Sequence, residues 1–117
     1  MSEALTRSVR VGGREHRLDA LWLWPVAPAV SVRLDGRAVA SVEFFQASAS
    51  AHWILNWIGD DLGYEGPARL PLMSLAGRVP EEVDADAALV GAVLDVALDA
   101  AEDRLSGQPA RVERPDG

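Results

Sequence analysis

An α+β fold is the class that this 117-residue sequence predicts, and three patterns support that class. Two stretches of alternating apolar and polar residues within residues 5–44, each interrupted by a turn dipeptide, are typical of β-hairpins. Two further stretches, residues 47–62 and 80–105, carry apolar residues at the three- and four-residue spacing of a helix. Because the strands precede the helices, we expect an antiparallel sheet of three to five strands with two main helices packed on one face.

Two hairpins account for most of the predicted sheet. The first spans residues 5–19 and turns at a Gly-Gly dipeptide, which can adopt the positive φ angles of a tight turn. The second spans residues 30–44 and turns at an Asp-Gly dipeptide, a favoured two-residue type I′ turn. Its alternation slips at Ala40-Ser41, where a β-bulge would change which residues face inward.

The segment between the two hairpins is predicted to contain a short strand and a loop. Residues 21–24 would place Trp22 and Trp24 on one face of that strand. Pro25 and Pro28 then favour a loop, because proline lacks a backbone donor and restricts the residue before it.

Residues 47–62 are predicted to form a central helix that lies across the sheet. One stripe of this helix is apolar and consists of Ala51, Ile54, Leu55, Ile58 and Leu62. His52 and Asn56 fall on the opposite side of the helix. Trp53 and Trp57, four residues apart, form an aromatic shoulder between the two sides.

The last helix is predicted over residues 80–105. Acidic residues near its start suit the positive end of the helix dipole, and a Ser-Gly dipeptide followed by proline ends it. Its polar face carries the carboxylates of Asp84, Asp95, Asp99 and Glu102. We therefore expect one domain over residues 1–106 and a disordered polar tail at residues 107–117.

Composition narrows the cellular setting and the partners. The chain contains no cysteine, which excludes disulfide and thiolate chemistry and suits a reducing cytoplasm. Its formal charge of −7 argues against a nucleic-acid partner, because phosphates would be repelled. Neither a signal peptide nor a membrane-spanning stretch is visible, so we expect a cytoplasmic protein without a membrane partner. The absence of lysine beside abundant alanine, aspartate and arginine is typical of GC-rich bacterial coding.

Motifs of catalysis and metal binding are not found. His52 and Asn56 could touch one ligand from a helix face, but no second histidine stands at a zinc-binding spacing. The carboxylates do not follow the calcium-loop pattern, and the serines lack the nucleophile-elbow motif. We therefore predict no cofactor and no metal ion, while the question of enzymatic activity stays open because small catalysts can lack such motifs.

The tryptophans and the acidic helix face are the candidate binding features. Tryptophan anchors protein interfaces when a polar atom lies nearby, and Trp53 and Trp57 neighbour two polar residues in the predicted helix. Core packing is the alternative use of these side chains.

The carboxylates of Asp95, Asp99 and Glu102 could attract a basic partner, although a solvated helix face has the same composition. The leading hypothesis is a non-enzymatic bacterial binding protein that recognises a protein partner or forms a homo-oligomer. The aromatic shoulder and the acidic helix face would be its working surfaces.

The alternative hypothesis is a small-molecule site, with a binding or a catalytic role, between the sheet and the helices. Trp22 or Trp24 would form one wall of the pocket, and Glu43, His52 and Asn56 would supply its polar groups. A third hypothesis is a structural subunit whose tryptophan surface is buried in a homo-oligomer.

Overall fold

The computed structural model describes residues 3–47, 50–58 and 69–105 of the chain. The strands are β1 (Glu3–Val11), β2 (Arg14–Trp22), β3 (Val30–Leu34), β4 (Arg37–Ala47), β5 (Ser50–Trp57) and β6 (Arg69–Pro71). A 3₁₀ turn (Met73–Leu75) and the helices α1 (Pro80–Asp84) and α2 (Ala87–Leu105) follow. The predicted tail, residues 107–117, lies outside the described residues.

The strands form one antiparallel sheet in which each strand pairs with the next along the chain, from β1 to β6. The predicted α+β class is therefore confirmed. The predicted numbers of elements need correction, because the sheet has six strands rather than three to five. Among the described residues, one 19-residue helix and one five-residue helix replace the two main helices.

Both predicted hairpin turns are confirmed by their backbone angles. Gly12 and Gly13 have φ angles of 60° and 82°, and Asp35 and Gly36 have φ angles of 52° and 88°. Two successive positive φ angles define a type I′ turn, whose twist matches that of the flanking strands. The Asp35 carboxylate also accepts a hydrogen bond from the backbone N–H of Arg17 at 2.9 Å, which ties the second turn to β2.

The irregularity predicted at Ala40-Ser41 is a bulge that lies at Val39 instead. Val32 lies opposite Ala40 while the next residue, Arg33, lies opposite Ala38, so β4 carries one extra residue. Val39 and Ala40 are consequently both buried although they are neighbours in a strand. The carbonyl of Val39 accepts a hydrogen bond from the backbone N–H of Ile58, the residue after β5.

The predicted central helix is wrong over residues 50–57, which form strand β5 and pair with β4 along its whole length. Trp53 and Leu55 are completely buried. Ile54 and Asn56, which alternate with them along the strand, are partly exposed on the other face. The i, i+4 spacing that suggested a helix is also compatible with the two-residue alternation of a strand. Aromatic and β-branched side chains favour the strand. Residues 48–49 and 59–62 of the predicted helix lie outside the described residues.

The last predicted helix is divided into α1 and α2 by a break at residues 85–86. The Asp86 carboxylate accepts a hydrogen bond from the backbone N–H of Ala88 at 2.9 Å, which satisfies one of the free donors at the start of α2. The described part of α2 extends to Leu105, and the predicted stop signal at Ser106-Gly107 lies outside the described residues. No helix among the described residues is long and apolar enough to cross a membrane.

Helix α2 lies on β1, β2 and β3 and buries its apolar stripe against them. The buried side chains of α2 include Val90, Val93, Leu94, Ala97, Leu98, Ala101 and Leu105. Their partners on the sheet stand at every second position of a strand, for example Leu18 and Ala20 on β2 and Val30 and Val32 on β3. Two-residue alternation in the sheet and helical spacing in α2 therefore form one continuous core.

Candidate binding surface

The sheet has two faces of different character. We call the side that packs on α1 and α2 the covered face, and the opposite side the open face. The residues with side chains on the covered face are mostly buried and apolar, whereas those on the open face are mostly polar and partly exposed. Helix α2 contacts the covered face through Asp99 and Arg7, and α1 contacts it through Asp84 and Trp22, so the open face is a candidate surface for a partner.

A polar row crosses the middle of the open face. Ser31 on β3 lies opposite Ser41 on β4, Ser41 lies opposite Asn56 on β5, and Asn56 lies opposite Arg69 on β6. The Ser41 hydroxyl donates a hydrogen bond to the Glu43 carboxylate at 3.3 Å. The row therefore presents hydroxyl, amide and guanidinium groups side by side on four neighbouring strands.

The region that we call the open-face patch shares two residues with this row and consists of Glu43, Phe45, His52, Ile54, Asn56 and Arg69. Ile54 lies opposite Glu43, and His52 lies opposite Phe45. Phe45 is 39% exposed, and the Arg69 guanidinium lies over its ring at 5.0 Å from the centroid. An exposed aromatic ring and a half-buried isoleucine are thus surrounded by groups of both charge signs.

Asp19 is a buried carboxylate at the β1–β2 side of the open face, with a relative exposure of 8%. It accepts a hydrogen bond from the Thr6 hydroxyl at 2.7 Å and further bonds from the Arg17 guanidinium at 3.1 and 3.2 Å. Burial raises the pKa of Asp19, but the Thr6 and Arg17 hydrogen bonds and the charges of Arg17 and Arg33 outweigh it. The net result is a pKa below the usual aspartate value, so this carboxylate is ionised at neutral pH.

Three of the residues predicted from sequence as candidate site residues come together in the open-face patch. Glu43 on β4 pairs with Ile54 on the adjacent strand β5. His52 and Asn56 stand two residues before and two residues after Ile54, so all three predicted residues share the open face. Trp22 lies on the covered face, and Trp24 packs against the buried core after the end of β2. The structure therefore does not assemble the predicted pocket, because its proposed wall and its polar groups are on opposite sides of the sheet.

Two tryptophans belong to the core rather than to a surface. Trp22 and Trp53 are 3% and 0% exposed, and their ring centroids are 6.2 Å apart. The Trp22 indole N–H donates to the Asp84 carboxylate at 2.7 Å, and the Trp53 indole N–H donates to the Arg78 carbonyl at 2.9 Å. Both indoles thus attach the segment around α1 to the sheet, which is the core use of tryptophan considered above.

The aromatic shoulder predicted for Trp53 and Trp57 needs correction. Both side chains are on the covered face of β5, since they alternate with Ile54 and Asn56. The Trp57 ring is half-buried, and the Arg104 guanidinium near the end of α2 lies over it at 5.0 Å from the centroid. Because residues 50–57 form a strand, these two rings face the helices instead of neighbouring His52 on a shared surface.

The acidic helix face is engaged within the chain. The Arg7 guanidinium of β1 contacts Asp95 and Asp99 at 2.6 Å each and Glu102 at 3.0 Å, and we call these three carboxylates the acidic stripe. The pKa of Arg7 is raised, chiefly by the hydrogen bond to Asp99. Burial lowers this pKa, and the hydrogen bond to Glu102 raises it further. The acidic stripe therefore attaches α2 to the edge strand of the sheet.

Sequence reasoning missed Phe45, Ile54 and Arg69 on the open face, and Arg7 at the acidic stripe. The first two could have been found by reading residues 50–57 as a strand that alternates every two residues and pairs with β4. Arg7 could not have been found in this way, because its partners lie 88 to 95 positions away in sequence. Within the described residues, no three histidine, aspartate or glutamate side chains form a group that could hold a metal ion.

Charge is distributed unevenly between the two layers of the molecule. The helical layer, residues 72–105, contains eight acidic residues and two arginines, a formal charge of −6. The described residues of the sheet layer, up to residue 71, contain five acidic residues and seven arginines, a formal charge of +2. The net negative charge is therefore concentrated on the side of the molecule away from the open face.

Comparison with known proteins adds no family to this description. No family model matches the chain, and neither a curated protein nor a solved structure matches it.

Proposed function

We propose that this chain is a non-enzymatic binding protein that contacts a protein partner through the open face of its sheet. The observation that carries this proposal is the open-face patch. It combines an exposed aromatic ring, a half-buried isoleucine and an arginine stacked on the ring on one side of the sheet. Aromatic residues and arginine are enriched at protein interfaces, where they bury large areas and still reach polar partners.

The geometry of the patch also favours a protein over a small ligand. The patch lies on the face of an antiparallel sheet, which is an extended surface rather than the concave pocket that encloses most small molecules. Its polar groups are spread over β4, β5 and β6 instead of converging on one point. Of the surfaces predicted from sequence, the acidic stripe fits a partner less well because Arg7 already neutralises part of its charge.

Site-specific photo-crosslinking tests the proposed surface. p-Benzoyl-phenylalanine in place of Phe45 puts a crosslinker on the open face with little change in shape, because one phenyl ring replaces another. The matched control places the same crosslinker at Met73, which is 67% exposed in the helical layer. We expect a covalent adduct with a protein, either another species or the chain itself, from position 45 and little or none from position 73.

Two results would count against a binding role of the open face. One is the absence of any protein adduct from position 45 in cells that produce the chain at its native level. The other is an equal yield of adducts from the two positions, which would indicate random collisions. Both variants must first show the wild-type circular dichroism spectrum, so that an unfolded variant is not misinterpreted.

A further inference from the structure

We infer that the outer edge of β1 binds an extended segment of another protein that carries basic residues at alternate positions, so that this segment joins the sheet as a further strand. The inference does not depend on the proposed function, because β1 is three strands away from β4, the first strand of the open-face patch. Two observations support it: a row of outward-pointing backbone groups along β1 and an excess of negative charge beside that row.

The backbone groups of every second residue of β1 point away from the sheet. Ser8 lies opposite Arg17 on β2. The Arg17 carbonyl accepts a hydrogen bond from the Asp35 N–H, and the Arg17 N–H donates to the Asp35 carboxylate, so both backbone groups point toward β3. Directly opposed residues of antiparallel strands exchange either two hydrogen bonds or none, so Ser8 directs its own backbone groups outward. By the same alternation, the outward residues of β1 are Ala4, Thr6, Ser8 and Arg10.

This edge of the sheet is long, regular and exposed. Strand β1 has nine residues, contains no proline and pairs with β2 without a bulge. Its outward residues are all exposed, and the described residues beyond β2 make no backbone hydrogen bond to it. Native sheets usually protect such an edge with proline, a bulge or a covering segment, because unpaired backbone groups attract another strand. The opposite edge strand, β6, has only three residues, so β1 offers the longer template for strand addition.

Negative charge beside the edge selects a basic segment. The acidic stripe of α2 stands next to β1, since the Arg7 guanidinium reaches all three of its carboxylates. These carboxylate side chains are between 41% and 65% exposed, and Arg7 offsets one of their three charges. An added strand directs every second side chain toward the covered face, where lysine or arginine would lie beside the stripe. The stripe attaches α2 to the sheet, and its remaining charge sets the sign of the partner.

The same charge disfavours a second copy of this chain at the β1 edge. Two β1 strands paired antiparallel would form one continuous sheet with both helical layers on the same side. That arrangement would bring two acidic stripes to one groove, where like charges repel each other. A basic segment from another protein meets no such repulsion.

Fluorescence anisotropy with a labelled lysine–threonine peptide of four repeats tests the inference. Lysine would face the acidic stripe, and threonine would lie beside the small side chains of Ala4, Thr6 and Ser8 on the open side. We expect saturable binding that weakens with added salt, because the charges are exposed. A glutamate–threonine peptide reverses the charge, and a fully N-methylated lysine–threonine peptide keeps the charge but cannot donate backbone hydrogen bonds. Both control peptides should bind about tenfold more weakly or not at all.

A pair of substitutions at Ser8 separates backbone pairing from side-chain contact. Ser8→Pro removes an outward N–H and leaves the hydrogen bonds between β1 and β2 intact, because that N–H does not bond to β2. We expect about tenfold weaker binding for Ser8→Pro and unchanged binding for Ser8→Ala. Thermal unfolding of both variants establishes that they are folded before binding is measured.

A second pair of substitutions tests the charge. Asp95→Asn neutralises one carboxylate of the acidic stripe and should weaken binding about threefold. Glu82→Gln is the matched control, because Glu82 pairs with Arg78 on the opposite side of the helical layer. The Arg78 carbonyl accepts a hydrogen bond from Trp53 on β5, four strands from β1. Glu82→Gln should therefore leave binding unchanged.

Amide hydrogen exchange measured by NMR gives a readout that needs no variant. In the free chain, the outward amides of Thr6, Ser8 and Arg10 should exchange rapidly. The amides of Arg7 and Val9, which bond to β2, should be protected. A saturating concentration of the lysine–threonine peptide should slow the exchange of the three outward amides.

Several results would overturn the inference. Absence of saturable binding, or equal binding of the glutamate–threonine peptide, contradicts a basic partner. Equal binding of the N-methylated peptide, or equal loss in Ser8→Pro and Ser8→Ala, indicates contact without strand addition. Slow exchange of the outward amides in the free chain would mean that a second copy or another segment of this chain already occupies the edge. The crosslinker at position 45 reports on the open-face patch alone, so the inference and the proposed function can fail separately.

Discussion

Replacement of Trp53 by phenylalanine tests whether residues 50–57 form a core strand. The indole is completely buried, contacts Phe44 and Trp22, and donates its N–H to the Arg78 carbonyl at 2.9 Å. Phenylalanine keeps an aromatic ring on the covered face of β5. The substitution removes three ring atoms, one of which is the indole nitrogen that donates the hydrogen bond.

The magnitude follows from these two losses. Loss of the hydrogen bond should cost about 1 kcal/mol, near the low end of the range, because Arg78 is an exposed residue whose carbonyl can bind water instead. Three fewer buried atoms cost roughly a further 1.5 kcal/mol, counted at about 0.8 kcal/mol per methylene and reduced for the nitrogen. The expected total of about 2–3 kcal/mol is a large share of the roughly 5–15 kcal/mol that stabilises a domain.

Urea unfolding followed by far-ultraviolet circular dichroism measures this loss for Trp53→Phe, and thermal unfolding should show a midpoint about 10 °C lower. Ile54→Val is the matched control on the open face of the same strand. It removes one half-exposed carbon and should cost less than about 0.8 kcal/mol. A loss within about 0.5 kcal/mol for Trp53→Phe would be typical of a surface position and would refute the strand assignment.

Three further substitutions test individual interactions. Arg7→Gln should cost about 1–2 kcal/mol in urea unfolding, from three partly exposed ion pairs, and at least half of that loss should disappear in 1 M NaCl. The lowered pKa of Asp19 gives stability that is present above the unfolded-state value of about 3.9 and is lost as pH falls through the folded-state pKa. Asp19→Asn should therefore be less stable at neutral pH and lose less stability on acidification, and an unchanged pH profile would contradict this. Gly91→Ala should raise the unfolding free energy by about 0.5–1 kcal/mol, because an added Cβ meets no atom within 4 Å; a loss would contradict the packing of α2.

The amino-acid sequence by itself determines the local features of this fold. Two-residue turns with positive φ angles require residues such as the Gly-Gly and Asp-Gly pairs, and the flanking alternation makes both hairpins predictable. In each case the decisive interactions lie within a few residues of one another in the chain.

Only the tertiary structure decides the state of residues 50–57 and the character of each surface. Trp53, Leu55 and Trp57 satisfy two-residue alternation, yet the four-residue spacing of the two tryptophans also fits a helix, so the local pattern is ambiguous. Pairing with β4 resolves it, because eight opposed residue pairs give β5 backbone partners and bury Trp53 and Leu55 beneath the helical layer.

The candidate surface depends on the same long-range contacts. Arg7 reaches an acidic stripe about ninety residues away, and that contact turns a predicted docking surface into an internal attachment of α2. The helices then cover one face of the sheet and leave Glu43, His52 and Asn56 together on the other. Which face is covered depends on interactions between distant segments, and local patterns do not contain that information.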